Sequence, residues 1–440
     1  MIDRIFLVFV VIFVFMILLY TLIVPPWETP DAPSHYLYIR HIVTERRLPV
    51  AGDVNQGWEY PATLYEWHHP PLYYLFHSTW ISALARQAIT EIPSCFEDGE
   101  SVFFSFGHPS ARYNPPEWPW WREYPSYLVV LMLRIIGGVG FGLPVVVLAW
   151  VSFMYLLKDR MMGLLPVALL SLQPQFVFVS ISIQNDILAI LMGSAIWAIM
   201  IITIFKDYRV DYYQMLMMGI LVGFGAFSKL SIFPVFIIVF LWFVALYLRQ
   251  RFELWKMLFL LVFPGLLMIA AYSFWGSEHF QALFNYLISV RDGAGTHMSF
   301  SQLLYLLTSS FWARMGWMNI HLDSWLYYLL TLFAFIGILR AVYRALNGIW
   351  PFDSREMREL FLWMVGGIVI QFAIVLPMFF SIGQPQGRFL FPALLPLTYM
   401  ISLGWMPNDK KNLFKFYCIV IASLLLVNIF VLSNIWAAYW

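Results

Sequence analysis

Apolar residues run along this chain in long, nearly unbroken blocks, separated by short polar connections. A bilayer-spanning helix needs roughly 17–25 mostly apolar residues. Blocks of that kind lie near 5–24, 128–157, 163–183, 187–205, 215–230, 231–248, 257–275, 325–343, 361–380, 389–406 and 416–436. The pattern therefore predicts an all-α integral membrane protein of about 11 transmembrane helices. The block at 72–85 is apolar for only fourteen residues, a length suited to an interfacial or re-entrant helix. No internal repeat or low-complexity tract interrupts the series, so residues 1–440 read as a single membrane domain. One region breaks the pattern. Residues 25–125 form a long connection rich in acids, histidines, tryptophans and prolines, too aromatic for disorder and too long for a plain connector.

Composition agrees with a lipid solvent. The chain is 61% hydrophobic and 12% charged, with mean hydropathy +0.74, whereas soluble domains carry about 25% charged residues. A net charge of +1 gives no reason to expect a nucleic-acid partner. Cys95 in the long connection and Cys418 in the last apolar block suggest neither a disulfide framework nor a metal cluster. The first apolar block is too long for a signal-peptide core, and Pro25-Pro26-Trp27-Glu28 is no small-residue cleavage site, so it reads as a retained anchor.

Charge then sets the sides. With the N-terminus cytoplasmic, one side receives Arg4, Lys158, Arg160, Lys206, Arg209, Arg249, Arg251, Lys256, Arg340, Arg344, Arg355, Arg358, Lys410, Lys411 and Lys415, which are 15 of the 26 basic residues. Positive residues in short connections mark the cytoplasmic face. The 25–125 loop is then extracytoplasmic, and all nine histidines (35, 41, 68, 69, 77, 108, 279, 297 and 321) fall on that outer side. A multi-pass protein of the cell membrane, with its chemistry outside, is the expectation.

The outer connections carry the candidate residues. Pro30-Asp31-Ala32-Pro33 predicts a helix start running to about Thr44, with Asp31 as N-cap. Asp31 and His35 share one flank at the membrane edge, so Asp31 reads either as a helix cap or as a general base. A capping role lowers a carboxylate's pKa and weakens it as a base, an effect that Glu28 nearby can offset. His68-His69-Pro70-Pro71 starts a second loop helix, followed by Tyr73 and Tyr74. Adjacent histidines are not a chelating spacing, so substrate binding and loop packing remain open for His68, His69 and Tyr73. Gln184-Asn185-Asp186 occupies an outer turn, polar by default. Lys229 interrupts the apolar stretch 223–240; it either snorkels to the surface or anchors an anion. Gln384-Pro385-Gln386-Gly387-Arg388 joins two late spans, and its Arg388 has the planar fork suited to phosphate. Arg134, at the start of the second span, is a weaker candidate of the same type. Trp312 and Trp317 in Ser309-Ser310-Phe311-Trp312-Ala313-Arg314-Met315-Gly316-Trp317 fit either an interfacial aromatic belt or a sugar-stacking surface.

Several chemistries have no motif. GxxxxGK[ST], GxGxxG, HExxH and GxSxG do not occur, and the inner loops hold no DxD-type pair.

Taken in order, the segments Pro25-Pro26-Trp27-Glu28-Thr29-Pro30-Asp31-Ala32-Pro33-Ser34-His35, His69-Pro70-Pro71-Leu72-Tyr73-Tyr74, Gln184-Asn185-Asp186, Ser228-Lys229-Leu230-Ser231 and Gln386-Gly387-Arg388-Phe389-Leu390-Phe391 resemble the GT-C superfamily of multi-pass glycosyltransferases. Their layout is similar to that of protein O-mannosyltransferases and lipid A aminoarabinose transferases, over residues 5–410. The resemblance implies a donor sugar on a polyprenyl phosphate or diphosphate and an acceptor hydroxyl on a glycan, lipid or protein. It gives Asp31 the role of catalytic acid residue in the first outer loop; Arg388, Lys229 and Arg134, from the contexts above, are the candidates for the donor phosphate. Glu28, His35, His68, His69, Tyr73, Asn185, Asp186, Gln386, Trp312 and Trp317 are the accompanying substrate-binding candidates. Many relatives have Asp-Glu where this chain has Asp31-Ala32, so a divalent cation (Mg or Mn) held by an acid pair lacks its second ligand here. A secondary transporter, an envelope-polysaccharide polymerase or ligase, and a lipid-glycan binder without activity are the rival readings. Against the transporter stand the absence of a repeat and the outward gathering of polar residues, although Gly137-Gly138 to Pro144 is a plausible helix break.

Overall fold

The computed structural model describes residues 4–53, 65–90, 118–157, 159, 161–206, 210–249, 253–279, 281–282, 285, 299–382, 386–407 and 410–440. Cys95, His108, His297, Gln384 and Pro385, together with much of the 25–125 loop, lie outside them.

Each apolar block forms helix. The first is α1 (Arg4–Ile23), ended by Pro25-Pro26, which cannot extend a hydrogen-bonded turn. Two loop helices follow: α2 (Ala32–Glu45) and α3 (Leu72–Leu84), the latter at the 72–85 block, with the one-turn α4 (Arg86–Thr90) behind it. Then come α5 (Pro125–Ile135), α6 (Leu143–Leu157), α7 (Leu164–Ser171), α8 (Pro174–Ile181), α9 (Asp186–Ile204), α10 (Tyr212–Ala226), α11 (Phe233–Leu248) and α12 (Leu254–Trp275). The last five are α13 (Phe300–Trp312), α14 (Ser324–Leu346), α15 (Arg355–Ile382), α16 (Leu394–Trp405) and α17 (Lys410–Tyr439). Among the described residues the only strands are Arg314–Met315 and Ile320–His321, a two-residue antiparallel pair.

Among the described residues seven helices are long and apolar enough to cross a membrane, and α7 with α8 makes an eighth if that bent pair is one span. The other three expected blocks are also helical. They appear as the fifteen-residue α10, as α12, and as a 3-10 segment Gly387–Ala393 running into α16. Exposed Leu7, Val8, Val11 and Phe15 on α1 and Leu258, Val262, Leu266 and Ile269 on α12 give lipid-facing surfaces. The protein is a multi-pass membrane protein.

Two irregularities shape the core. Between α5 and α6 the chain winds as a π-helix over Ile136–Gly142, at the glycines that sequence marked as a break. A Cβ on Gly137 would stand 2.5 Å from the Ser180 carbonyl of α8, so only glycine permits this approach. Between α7 and α8 the axis bends by 60°. Pro174 opens α8, where its missing N–H is harmless. One freed carbonyl at the bend is satisfied by Asn428 Nδ2, which donates to Leu172 O at 2.8 Å, and the Gln173 side chain ties the bend to α13 by donating to the Phe311 carbonyl at 2.9 Å. Irregular backbone at membrane depth survives only with such partners.

The loops after α1, α8, α10, α13 and α15 meet at one end of the bundle. Leu72 N donates to the Phe227 carbonyl, Asn185 Nδ2 to the Ser228 carbonyl, and Gln371 Nε2 to the Ser231 and Phe389 carbonyls. At the other end Arg344 caps α16 by donating to the Leu403 and Met406 carbonyls, and Arg249 pairs with Glu359.

Candidate functional site

The base of the site is the C-terminal end of α1. A helix leaves its last carbonyls without intrahelical partners, and here side chains supply them. Trp120 Nε1 donates to the Leu22 carbonyl at 2.9 Å, and Trp440 Nε1 to the Ile23 carbonyl at 2.8 Å. Arg134 donates to the carbonyls of Thr21 (3.2 Å), Val24 (2.5 Å) and Pro25 (2.7 Å). Its guanidinium also sits 5.4 Å over the Trp120 ring. Arg134 is buried within packed protein and is not brought to Arg388. Glu28, buried, accepts from the Tyr439 hydroxyl at 3.0 Å, and Trp317 Nε1 donates to the Trp27 carbonyl at 2.9 Å. Trp312, also buried, donates to Thr331 Oγ1. Both tryptophans named as stacking candidates therefore engage their indole N–H groups in packing.

From this base the chain delivers Asp31. Its backbone is left-handed (φ 62°, ψ 3°), a region that Asp tolerates because its side chain is short and polar. α2 begins at the next residue, as expected, yet the Asp31 carboxylate makes no capping bond. A capping residue normally has β-region dihedrals that aim its side chain at the first-turn amides; the left-handed turn aims this one elsewhere. The expected cap is corrected accordingly.

Asp31 meets Arg388. Arg388 Nη2 lies 3.6 Å from Asp31 Oδ2, Nη1 donates to Gln184 Oε1 at 2.8 Å, and Nε lies 3.9 Å from Asp186 Oδ2. Asp186 Oδ1 in turn lies 2.9 Å from Lys229 Nζ. The order Asp31, Arg388, Asp186, Lys229 is a chain of alternating charge. Lys229 did not snorkel to bulk water; it pairs at the N-terminus of α9. Arg388 is buried, while the Asp31 side chain keeps 31% of its surface exposed.

Close packing fixes this arrangement. A Cβ on Gly387 would meet the Leu307 carbonyl and the Phe311 amide of α13, each at 2.5 Å, and Gly387 N donates to Ser310 Oγ at 2.7 Å. The residue before the guanidinium is thus pressed onto α13 with no room for a side chain.

A narrow cavity opens beside the charges, lined by Pro30, Gln175, Ser310, Arg314, Met318, Gln386 and Arg388. Arg314, hidden in sequence within an aromatic segment, is a second guanidinium at this cavity, held by its Nε bond to the Met318 carbonyl at 2.7 Å. Gln175, whose Oε1 accepts from Arg314 N at 2.7 Å, carries no sequence signal beyond lying beside a helix break. Gln184 stands in the Gln184-Asn185-Asp186 turn, whose other two residues were the candidates.

The histidines form a neighbouring cluster. His35 Nδ1 is 2.7 Å from the Tyr74 hydroxyl, which is 3.5 Å from His69 Nδ1, and His69 Nε2 is 2.6 Å from Glu66 Oε2. Burial pushes the His35 imidazole down to about 3, so it is neutral. Burial alone would raise the Glu66 carboxyl, but the charge and hydrogen bond of His69 outweigh it and hold Glu66 below the usual range. His68 stacks edge-on against His69 and Trp67. Tyr73 is buried beside the Gln184 backbone.

No family model matches this sequence, and no curated protein matches it. Solved structures do. ArnT from Cupriavidus metallidurans, in its crystal structure bound to undecaprenyl phosphate, aligns with TM-score 0.51 at 12% identity, over 98% of this chain and 74% of that one. The Archaeoglobus fulgidus oligosaccharyltransferase, tethered to an acceptor peptide containing the NVT sequon, aligns with TM-score 0.49 at 13% identity, over 98% of this chain and 54% of that one. The first of these likenesses, together with the helix order, shows that this chain shares the overall fold of that protein.

Proposed function

We propose that the protein transfers a sugar from a polyprenyl-phosphate-linked donor to an acceptor hydroxyl on the outer face of the cell membrane. The observation that carries this reading is the 3.6 Å approach of Asp31 to Arg388 beside a cavity that also holds Arg314. A base and an anion seat at one interfacial site are the two parts the reaction requires. The basic residues in the short connections support a cytoplasmic N-terminus.

The donor phosphate, approaching from the lipid, binds the Arg388 fork, with Lys229 adding positive charge. Asp31 accepts the proton from the acceptor hydroxyl as that oxygen attacks the anomeric carbon. The bond between the anomeric carbon and the phosphate oxygen breaks, and its electron pair leaves with the lipid phosphate. Arg388 stabilises the growing negative charge in a site of low dielectric. Direct displacement inverts the anomeric configuration. The acceptor is a hydroxyl on a glycan, lipid or protein.

The test is transfer from a synthetic polyprenyl-phosphate sugar by purified wild type and Asp31→Asn, with folding checked by gel filtration. Removal of a general base costs about 10²–10⁴-fold in rate. Transfer by Asp31→Asn at the wild-type rate would eliminate the proposed base.

A further inference from the structure

Apart from the charge chain, His35, Glu66 and His69 converge inside the loop layer. One donor atom from each lies within 4.8 Å of the other two, and two of those groups already stand 2.6 Å apart. They arrive from separate pieces of chain: His35 from α2, Glu66 from the short 3-10 turn Tyr65–His68, and His69 from the residue after it. Glu66 N donates to Ser34 Oγ at 3.0 Å, which docks the turn onto α2. The Tyr74 hydroxyl contacts both imidazoles, as an outer partner that orients ligand rings does.

We propose that His35, Glu66 and His69 form a site for a divalent transition metal of the Zn²⁺ class, stapling α2 to the start of α3. The donor set selects the ion. Two imidazoles and one carboxylate are the ligands of three-protein-ligand zinc sites, whereas Mg²⁺ demands oxygen donors. A cation held by paired acids at 31 and 32 is not available, because residue 32 is alanine. Zinc–ligand bonds of about 2.0–2.1 Å place tetrahedral ligands about 3.3 Å apart. The fourth position is left for water or a substrate group. His69, with 18% of its side chain exposed, gives the ion a way in. This proposal stands on donor geometry and does not depend on the transfer reaction above.

The experiment uses the full chain without a polyhistidine tag, purified in detergent, stripped with EDTA, and incubated in turn with Zn²⁺, Mn²⁺ and Mg²⁺. Metal is then counted by mass spectrometry after gel filtration, and the thermal midpoint is read from tryptophan fluorescence. Wild type is expected to retain about one Zn²⁺ and no Mg²⁺, with a raised midpoint. Glu66→Gln and His35→Ala/His69→Ala are expected to lose at least nine-tenths of that zinc and the shift with it. Zinc content in wild type no higher than in Glu66→Gln overturns the site, as does a response to Mg²⁺ alone. Should the variants fail to fold, competition for Zn²⁺ between wild type and a chromophoric chelator decides: one-site uptake supports the proposal and its absence overturns it. Loss of glycosyl transfer with zinc uptake intact counts only against the transferase reading.

Discussion

Asp31 Oδ2 lies 3.6 Å from Arg388 Nη2, and the same guanidinium lies 3.9 Å from Asp186 Oδ2. A cation between two acids is neutralised until an anion competes for it. On the proposed reaction, a donor phosphate taking the Arg388 fork would draw the positive charge from Asp31, and a carboxylate that loses a cation becomes a better base. Donor binding and base activation would then be one event.

Arg388→Lys keeps the charge and loses the fork. A charge-assisted hydrogen bond contributes about 1.5–3 kcal/mol, so kcat/KM for the donor is expected to fall about 10- to 100-fold, with Arg388→Gln lower still. Steady-state kinetics with varied donor read this directly. An unchanged kcat/KM for Arg388→Lys would remove the phosphate from this position.

Asp186 bridges Lys229 and Arg388 while nearly fully buried. Asp186→Asn leaves two cations at membrane depth without their shared acid, and breaking a buried pair on one side costs about 3–5 kcal/mol. Its thermal midpoint in detergent is expected to fall sharply. Removing the second charge as well, in Asp186→Asn/Lys229→Met, is expected to restore part of the loss. Equal midpoints for the single and double variants would show that the pair is not coupled.

The helices were legible because lipid imposes length and apolarity on every span, and each expected block is helical. The contacts of Asp31 were less legible. Its spacing from Pro30 and Pro33 marked the helix start, but the left-handed turn that frees its carboxylate from capping has no residue pattern of its own. Arg134 shows the same limit from the other side: nothing in the sequence distinguishes an arginine beside a cavity from one facing carbonyls. Adjacent His68 and His69 gave no chelating spacing; the groups that gather with His69 are Glu66, three residues back, and His35 on α2.

Asp53 offers a pH-dependent readout of the loop. Arg47 donates to both its oxygens, at 2.6 and 2.7 Å, and Val50 N adds a third bond at 2.8 Å. These, with Arg47 first, hold the carboxyl down to about 2. A carboxyl below its unfolded value of about 3.9 stabilises the fold at any pH above that value. The contribution is lost as pH falls from about 4 toward 2. Wild type is therefore expected to lose thermal stability more steeply over that window than Asp53→Asn, which starts lower and changes less. Parallel acid limbs for the two proteins would exclude the linkage.

Arg134 separates support from phosphate binding. Its replacement by Met withdraws the donor from the carbonyls of Thr21, Val24 and Pro25, beside the buried carboxylate of Glu28. Each buried group left without a partner costs about 1–3 kcal/mol, so the thermal midpoint is expected to drop steeply. The donor KM of whatever fraction remains folded is expected to stay near that of wild type. Arg134→Lys rescues little, because one ammonium cannot follow the fork onto three carbonyls. The opposite result, a wild-type midpoint with a donor KM raised tenfold or more, places Arg134 in the phosphate seat and removes it from the base of the loop.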